Sequence, residues 1–347
     1  MSQKPVILLC WGYERKAWVE LFESLRTDFD LVYLYYRNRQ EDGIPAMIDR
    51  RIYWDDYKSA HEIINEIKPS KIVFMSISSG YGIALNMAAR RAKVPTLILQ
   101  HGLFRTYREY RELEKLANTH ASQVTTHTAQ RTAPSGSNTM KFLLKSTPFL
   151  SLFALPWFFL YFILQRKVGS SYAAKKVFFR QRVASRYVCF SPTNATIHRE
   201  LDRIRENKIV YIGVPELDPY FRDSSPATQT SQDPYYLFID QPFEGNPYRN
   251  YGISTDDKNE LYVKLAEWCA ENNHRLKIKL HPVSYKNEWL VKHPSIEYVR
   301  QTDMAALLAG ATGVFGGTST LMLPAVYLKP VFLLLIHDST FQERVME

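Results

Sequence analysis

Short apolar runs alternate with helically periodic segments along most of this chain. Near the N-terminus the runs 6–10, 31–35 and 71–76 are predicted strands, and the helical patterns 14–26 and 57–67 separate them. Parallel strands joined by helices give such an alternation, because each helix covers a sheet face while the chain returns to start the next strand. The pattern therefore predicts an α/β fold with parallel sheets.

The alternation occurs twice, which predicts two Rossmann-like domains facing a central cleft. A stretch rich in Pro, Ser, Thr and Asp, 215–234, separates the two halves and is the expected linker. The expected domains are 1–214 and 235–347, and 347 residues are enough for two domains of ordinary size.

The first domain carries an apolar insertion near 147–164 that contains no charged residue. Cations flank it on both sides: Lys141 and Lys145 before, Arg166 and Lys167 after. As one helix it would be about 27 Å long, just under the thickness of a bilayer core, with a kink at Pro156. Three interpretations stay open: a transmembrane helix, a buried or domain-packing helix pair, and a monotopic hairpin that contacts a membrane surface.

The net charge of +9 is a moderate basic bias that suits a nucleotide, a phosphate or an anionic membrane surface. Nucleic acid is a weaker candidate, because no aromatic platform is interleaved with the basic residues. The three cysteines, Cys10, Cys189 and Cys269, are far apart and have no metal-ligand spacing, so we expect a reducing compartment, no metal and no cofactor. No signal peptide pattern precedes the first strand, so the expected location is cytoplasmic, with peripheral contact at the inner membrane as an option.

Two segments in the second half could together hold a phosphate. Gly316 to Thr320, Gly-Gly-Thr-Ser-Thr, lies between a predicted strand and a predicted helix, where backbone N–H groups and hydroxyls suit an anion. His281 and Pro282 follow another strand, and Lys279 precedes them on it. The carboxyl ends of parallel strands share one edge of a sheet, so we expect Lys279, His281, Pro282, Gly317, Thr318, Ser319 and Thr320 to form one nucleotide-phosphate site.

A third segment follows the strand 95–99 in the first half. His101 stands there before Gly102, and a histidine that titrates near neutral pH suits a general base. Arg105 could bind a phosphate or a carboxylate of donor or acceptor. Glu112 and Glu114 are alternative bases further along the chain.

These motifs resemble those of two-Rossmann (GT-B) glycosyltransferases of bacterial surface polysaccharide synthesis. The pair His281-Pro282 and Thr318-Ser319-Thr320 is similar to the HP and S/T motifs of bacterial sialyltransferases, polysialyltransferases and capsule Kdo transferases. In those families the two motifs hold the CMP phosphate of the donor. The similarity runs with gaps from 71 to 331, and the S/T motif here is Thr-Ser-Thr rather than Ser-Ser.

The segment 100–106 resembles the acidic-Gly segment that supplies the catalytic base in those families. It also resembles the His-Gly motif of teichoic-acid glycerophosphotransferases. His101 stands where several CMP-sugar families have Asp or Glu.

The resemblance implies an inverting, metal-independent glycosyltransferase with an acceptor-side domain 1–214 and a nucleotide-sugar domain 235–347. CMP-sialic acid or CMP-Kdo would be the donor and a surface polysaccharide or lipopolysaccharide the acceptor. Three alternatives remain: a CDP-glycerol-type polyol-phosphate transferase, a nucleotide-sugar epimerase that uses Asp240 and Glu244, and a non-catalytic membrane-peripheral binding protein.

Overall fold

The structure is a computed structural model, and it divides into two compact units, Met1–Pro215 and Glu216–Glu347. The described residues are 4–10, 19–36, 48, 50–100, 106–108, 110–111, 136–148, 150, 152–221, 233–241, 254–281, 284–285, 288–300, 302–317, 319 and 321–334.

Seven parallel strands form the sheet of the first unit. They are β1 (Val6–Cys10), β2 (Asp30–Tyr35), β3 (Arg51–Tyr53), β4 (Lys71–Phe74), β5 (Thr96–Leu99), β6 (Arg186–Cys189) and β7 (Ile209–Tyr211). Their spatial order is β3-β2-β1-β4-β5-β6-β7, and every neighbouring pair is parallel. The order reverses direction between β1 and β4, as it does in a doubly wound Rossmann sheet.

Two of the helices of the first unit start at serine caps. The described helices of this unit are α1 (Ala60–Ile67), α2 (Gly80–Arg91), α3 (Gly136–Ser146), α4 (Leu155–Val168), α5 (Ser170–Lys176) and α6 (Thr196–Asp202). Ser59 and Ser79 cap α1 and α2, because each hydroxyl accepts a backbone N–H from the first turn of its helix.

Both faces of this sheet are buried, as an α/β sheet requires. Along β1, Val6 and Leu8 belong to one apolar cluster, whereas Ile7 and Leu9 belong to the cluster on the opposite face. The alternation follows from the two-residue period of a strand and explains why strands in such sheets appear as continuous apolar runs.

The described residues of the second unit form five parallel strands and four helices. The strands are β8 (Tyr235–Ile239), β9 (Arg275–Lys279), β10 (Ile296–Val299), β11 (Ala311–Gly316) and β12 (Val331–Leu333), and the helices are α7 (Asp218–Phe221), α8 (Thr255–Glu271), α9 (Met304–Gly310) and α10 (Met322–Leu328). The spatial order is β10-β9-β8-β11-β12, with the reversal between β8 and β11. The prediction of two Rossmann-like domains is therefore confirmed.

One local prediction was wrong. Pro156 does not kink a long helix: it lies in the first turn of α4, where a missing N–H costs nothing, so the apolar insertion folds as a turn followed by a 14-residue helix. Ser254 caps α8 in a capping box with Asp257. Two short helical turns, Pro215–Leu217 and Asp218–Phe221, lie in the first part of the expected linker, while 222–232 lie outside the described residues.

The insertion has a buried side and an exposed side. Phe158 and Tyr161 of α4 are buried in the core of the first unit, whereas Trp157 and Ile163 are exposed. Across the described part of the chain, no helix combines the length and the apolar content that a bilayer crossing requires.

Candidate functional site

His281 lies at the carboxyl end of β9, next to the end of β8. Its backbone N–H donates to Asp240 Oδ2 at 3.1 Å, and Asp240 is the residue directly after β8. His281 is half-buried. A carboxylate on one strand therefore fixes the backbone where the neighbouring strand ends, and Pro282 lies outside the described residues.

Asp240 is itself held in a buried polar cluster. Its Oδ1 is 2.6 Å from Lys258 Nζ and accepts a hydrogen bond from the Tyr262 hydroxyl at 2.9 Å. Lys258 also donates to the carbonyl of Gln241 at 3.0 Å. All these contacts come from α8, which thereby ties the end of β8 to the body of the domain.

This environment decides the ionisation of Asp240, which is only 3% exposed. Burial acts to raise the pKa of its carboxyl, but the Lys258 ammonium and the hydrogen bonds to the carboxylate outweigh burial and hold the pKa below its usual value. A carboxylate so paired does not exchange protons near neutral pH. Asp240 is therefore an anchor for the loop at His281, and its suggested acid/base role in an epimerase does not suit its surroundings.

Lys279, the last residue of β9, is held by contacts with residues that follow this strand. Its Nζ donates to the carbonyl of Leu280 at 2.9 Å and to the Tyr285 hydroxyl at 3.4 Å, and it lies 5.6 Å from the centre of the Tyr285 ring. Burial lowers the pKa of this ammonium, and the negative charge of Asp240 partly offsets that effect. The cation thus remains close to the end of β9.

The Gly-rich segment begins at the end of β11. A Cβ at Gly316 would lie 2.6 Å from Met322 Sδ, so the buried Met322 side chain would have to shift. Ser319 Oγ accepts the N–H of Leu321, the residue directly before α10, at 3.3 Å. Its hydroxyl hydrogen stays available as a donor, and Thr318 and Thr320 lie outside the described residues.

The sheet order brings these groups to one edge. β8 lies between β9 and β11, so Asp240 stands between the strand that ends at His281 and the strand that ends at Gly317. Neighbouring strands are about 4.8 Å apart, which places the two motif strands roughly 10 Å apart. The reversal of strand order between β8 and β11 creates a crevice at this point, where α/β sheets bind ligands.

The residues expected to act in the first unit follow β5. His101 and Arg105, together with the alternatives Glu112 and Glu114, lie outside the described residues. The residue before them is fully buried: Gln100 donates its N–H to the Val188 carbonyl at 2.9 Å, and its Oε1 accepts the N–H of Phe190 at 2.7 Å. These bonds tie the end of β5 to β6 directly before His101.

Sequence reasoning missed three supporting residues: Gln100, Lys258 and Tyr262. Gln100 was seen only as part of its motif, although a polar side chain directly after a buried strand is a usable signal. Lys258 and Tyr262 are four residues apart on one helix, so their common face was visible, but nothing in the sequence connects that face to Asp240.

Residues 52–291 match the model of the alpha-2,8-polysialyltransferase family (POLYST). The chain belongs to this family. It is a glycosyltransferase, in agreement with the motifs at the edge of the second sheet. No curated protein sequence gives a significant match.

Solved structures share the fold of this family member at very low sequence identity. The glycotransferase of kitacinnamycin is 10% identical, with 97% of this chain and 82% of that chain covered, at a TM-score of 0.50. The wall teichoic acid polymerase TagF, as a variant soaked with CDPG, is 11% identical, with 95% and 69% covered, also at 0.50. These similarities establish the GT-B type of fold.

Proposed function

We propose that this family member is an inverting glycosyltransferase. It transfers a sugar, such as sialic acid or Kdo, from a CMP-activated donor to a bacterial surface polysaccharide or lipopolysaccharide. The observation that supports the proposal is the arrangement at one edge of the sheet in the second unit. There, Asp240 lies between β9, which leads to His281, and β11, which leads to Gly317. The family match and the similarity of the motifs to HP and S/T pairs support CMP as the nucleotide.

The mechanism follows from the charge that develops on the leaving nucleotide. As the bond from the anomeric carbon to the phosphate oxygen breaks, negative charge accumulates on the phosphate, and donors fixed in advance stabilise that charge best. His281, Lys279 and the hydroxyls of Thr318, Ser319 and Thr320 are the proposed donors. His101 is the proposed base that removes the acceptor proton, and Arg105 would bind a carboxylate of donor or acceptor.

A nucleotide screen tests this assignment. CMP, CDP, UDP and GDP are compared for their effect on the melting temperature, since a ligand that binds only the native state stabilises it by mass action. We expect CMP to give the largest shift and His281→Ala to reduce it. His274→Ala is the matched control, because His274 lies directly before β9, at its other end. Equal CMP shifts in the two variants would contradict the proposed site.

A polyol-phosphate transferase remains the second candidate because His101 takes the place of a carboxylate in the motif. The same screen distinguishes the two functions. A glycerol-type donor carries CDP, so a shift that is larger with CDP than with CMP would favour that candidate.

We also propose that the exposed side of the insertion contacts an anionic membrane surface. Leu152 and Phe153, in the turn before α4, are 82% and 90% exposed, and Trp157 is 58% exposed. Leu160 and Ile163 continue this stripe at intervals of three residues along α4. So many large apolar side chains in one continuous stripe are unusual on a soluble surface and are typical of an interaction site.

The charge around this stripe favours a lipid surface over a protein partner. Segment 115–199 contains twelve Lys and Arg residues and no Asp or Glu, whereas the rest of the chain has 32 Lys and Arg against 35 Asp and Glu. The basic bias is therefore confined to the region that includes α3, α4 and α5. Exposed cations flank the stripe at Lys141, Lys145, Arg166 and Lys167, where anionic lipid headgroups would add to the apolar contact.

Vesicle flotation tests the contact. The protein should float with vesicles that contain anionic phosphatidylglycerol and bind less to neutral phosphatidylcholine vesicles. Phe153→Ser/Trp157→Ser should lose binding, whereas Val326→Ser/Tyr327→Ser, which removes two exposed apolar side chains of α10, should not. Equal loss in both double variants, or no binding by the wild type, would contradict the proposal.

A further inference from the structure

The first unit contains a cavity of about 530 Å³ that the motifs above do not use. It lies between the carboxyl end of β4 and the helices α4, α5 and α6, and its walls combine apolar side chains with a few polar groups. The volume lies within the range of about 300–1,000 Å³ that is usual for pockets binding small ligands. The end of β4 borders the reversal of strand order in this sheet, which is the expected place for a ligand.

One wall is a buried network centred on Asp202. Its Oδ1 is 2.7 Å from Arg182, and its Oδ2 accepts from the Tyr187 hydroxyl at 3.0 Å. Burial acts to raise the pKa of Asp202, but Arg182 and the hydrogen bonds hold it below its usual value. Arg182 is 7% exposed, and its Nε has no hydrogen-bond partner within the described part of the chain. Such a buried donor is costly unless something accepts its hydrogen.

His198 is the second polar group in this wall. Its Nδ1 lies 3.2 Å from Asp202 Oδ2, and its ring lies 4.8 Å from the Tyr187 ring. Because Asp202 is an ionised acceptor, a hydrogen on Nδ1 of His198 is directed to it, and Nε2 is directed away from Asp202. The wall thus presents an N–H donor from Arg182 beside the imidazole ring of His198.

Serine hydroxyls also line the cavity. Ser76 and Ser78 follow β4, are exposed, and lie 2.9 Å apart through their Oγ atoms. Ser170 stands at the start of α5, where its Oγ accepts from Gln165 at 3.1 Å. Each of these hydroxyls can still form further hydrogen bonds, so the lining combines polar groups with apolar surface.

We propose that this cavity binds one sugar residue of the glycan acceptor, a use that rests on the function proposed above. A sugar ring has apolar C–H faces and hydroxyl groups around its edge, and the cavity offers the complementary pattern. Arg182 and Asp202 neutralise each other, so hydroxyl groups of the sugar contribute to recognition beside any charge that it carries. Ring hydroxyls would accept from Arg182 Nε, donate to His198 and exchange hydrogen bonds with Ser76 and Ser78.

The test narrows the cavity at its exposed side. Ser78→Trp places an indole at the opening, and Ser24→Trp is the control, since Ser24 is an exposed serine of the same unit outside the cavity. The probe is a short α2,8-linked oligosialic acid, titrated by calorimetry, with CMP titrated separately. We expect Ser78→Trp to weaken oligosialic acid binding by about tenfold or more, which equals about 1.4 kcal/mol, and to leave CMP affinity and the Ser24→Trp variant unchanged.

A second variant tests the polar wall. His198→Phe keeps a ring against Tyr187 but removes both nitrogens, so it should raise the oligosialic acid dissociation constant while CMP affinity stays the same. Unchanged oligosialic acid affinity in both variants, or no binding to a wild type that binds CMP, would overturn the cavity proposal. Failure of CMP to bind while oligosialic acid binds would instead contradict the proposed donor.

Discussion

The buried pair of Asp240 and Lys258 makes the edge at His281 sensitive to a single substitution. Lys258→Met keeps most of the side-chain length but removes the ammonium that lies 2.6 Å from Asp240. The carboxylate is then left 3% exposed without the ammonium that contacts it. Removing one partner of a buried ion pair costs about 3–5 kcal/mol of unfolding free energy. Since Tyr262 and the His281 N–H still donate to Asp240, we expect a loss near the lower end, about 3 kcal/mol.

Urea unfolding followed by circular dichroism measures this loss. The control is Lys264→Met on the same helix, because the Lys264–Glu260 pair is exposed and surface pairs contribute about 0–1 kcal/mol. The double variant Asp240→Asn/Lys258→Met should recover part of the stability, because the buried charge is gone. A Lys258→Met variant as stable as the Lys264→Met control would refute the reasoning.

The pH dependence separates charge from packing. In the wild type the pKa of Asp240 is lowered, so its contribution to stability is complete above the unfolded pKa of about 3.9 and is lost as the pH falls through the lower, folded pKa. Without Lys258, burial favours protonation of Asp240. The difference between Lys258→Met and the wild type should therefore shrink as the pH falls from about 7 to 4. A constant difference would mean that lost packing, not lost charge, causes the effect.

Two further predictions concern the proposed base and a helix cap. His101→Asn should reduce turnover by about 10²–10⁴-fold without changing CMP affinity, and near-normal turnover in a transfer assay would move the proposed base to Glu112 or Glu114. Ser254→Ala should lower the unfolding free energy by about 1 kcal/mol, because Ser254 Oγ accepts the N–H of Asp257 at 3.1 Å, and an unchanged urea midpoint would show that this cap contributes nothing.

Most strands could be predicted from the sequence because parallel strands buried on both faces are continuous apolar runs. β1 matches its predicted bounds, Val6–Cys10. β3 was missed because Arg51–Tyr53 has only three residues and is partly exposed at a sheet edge. Three interpretations of the apolar run at 147–164 stay open at the level of sequence because composition alone does not show that Pro156 begins a helix.

Only those residues of the site that follow a predicted strand could be predicted from the sequence. His281 and Gly317 follow strands, and the topology of parallel sheets places such residues at one edge. The contact between Asp240 and Lys258 joins a strand end to a helix face, which no local pattern encodes. The basic segment 115–199 was overlooked because a net charge averaged over the whole chain hides an excess that is confined to one region.

Asp240 lies between β9 and β11, the strands that lead to His281 and Gly317. Its chemistry explains why an ion pair is kept there despite the free-energy cost of burying two charges. An apolar residue in place of Asp240 would avoid the cost of burying two charges, and such replacements are often as stable as the ion pair. It would, however, leave the N–H of His281 without an acceptor at the point where β9 ends. A carboxylate satisfies that N–H, and Lys258 from α8 keeps the carboxylate ionised. The pair therefore stabilises one backbone position for His281, and the proposed phosphate site depends on that position more than on the net stability of the domain.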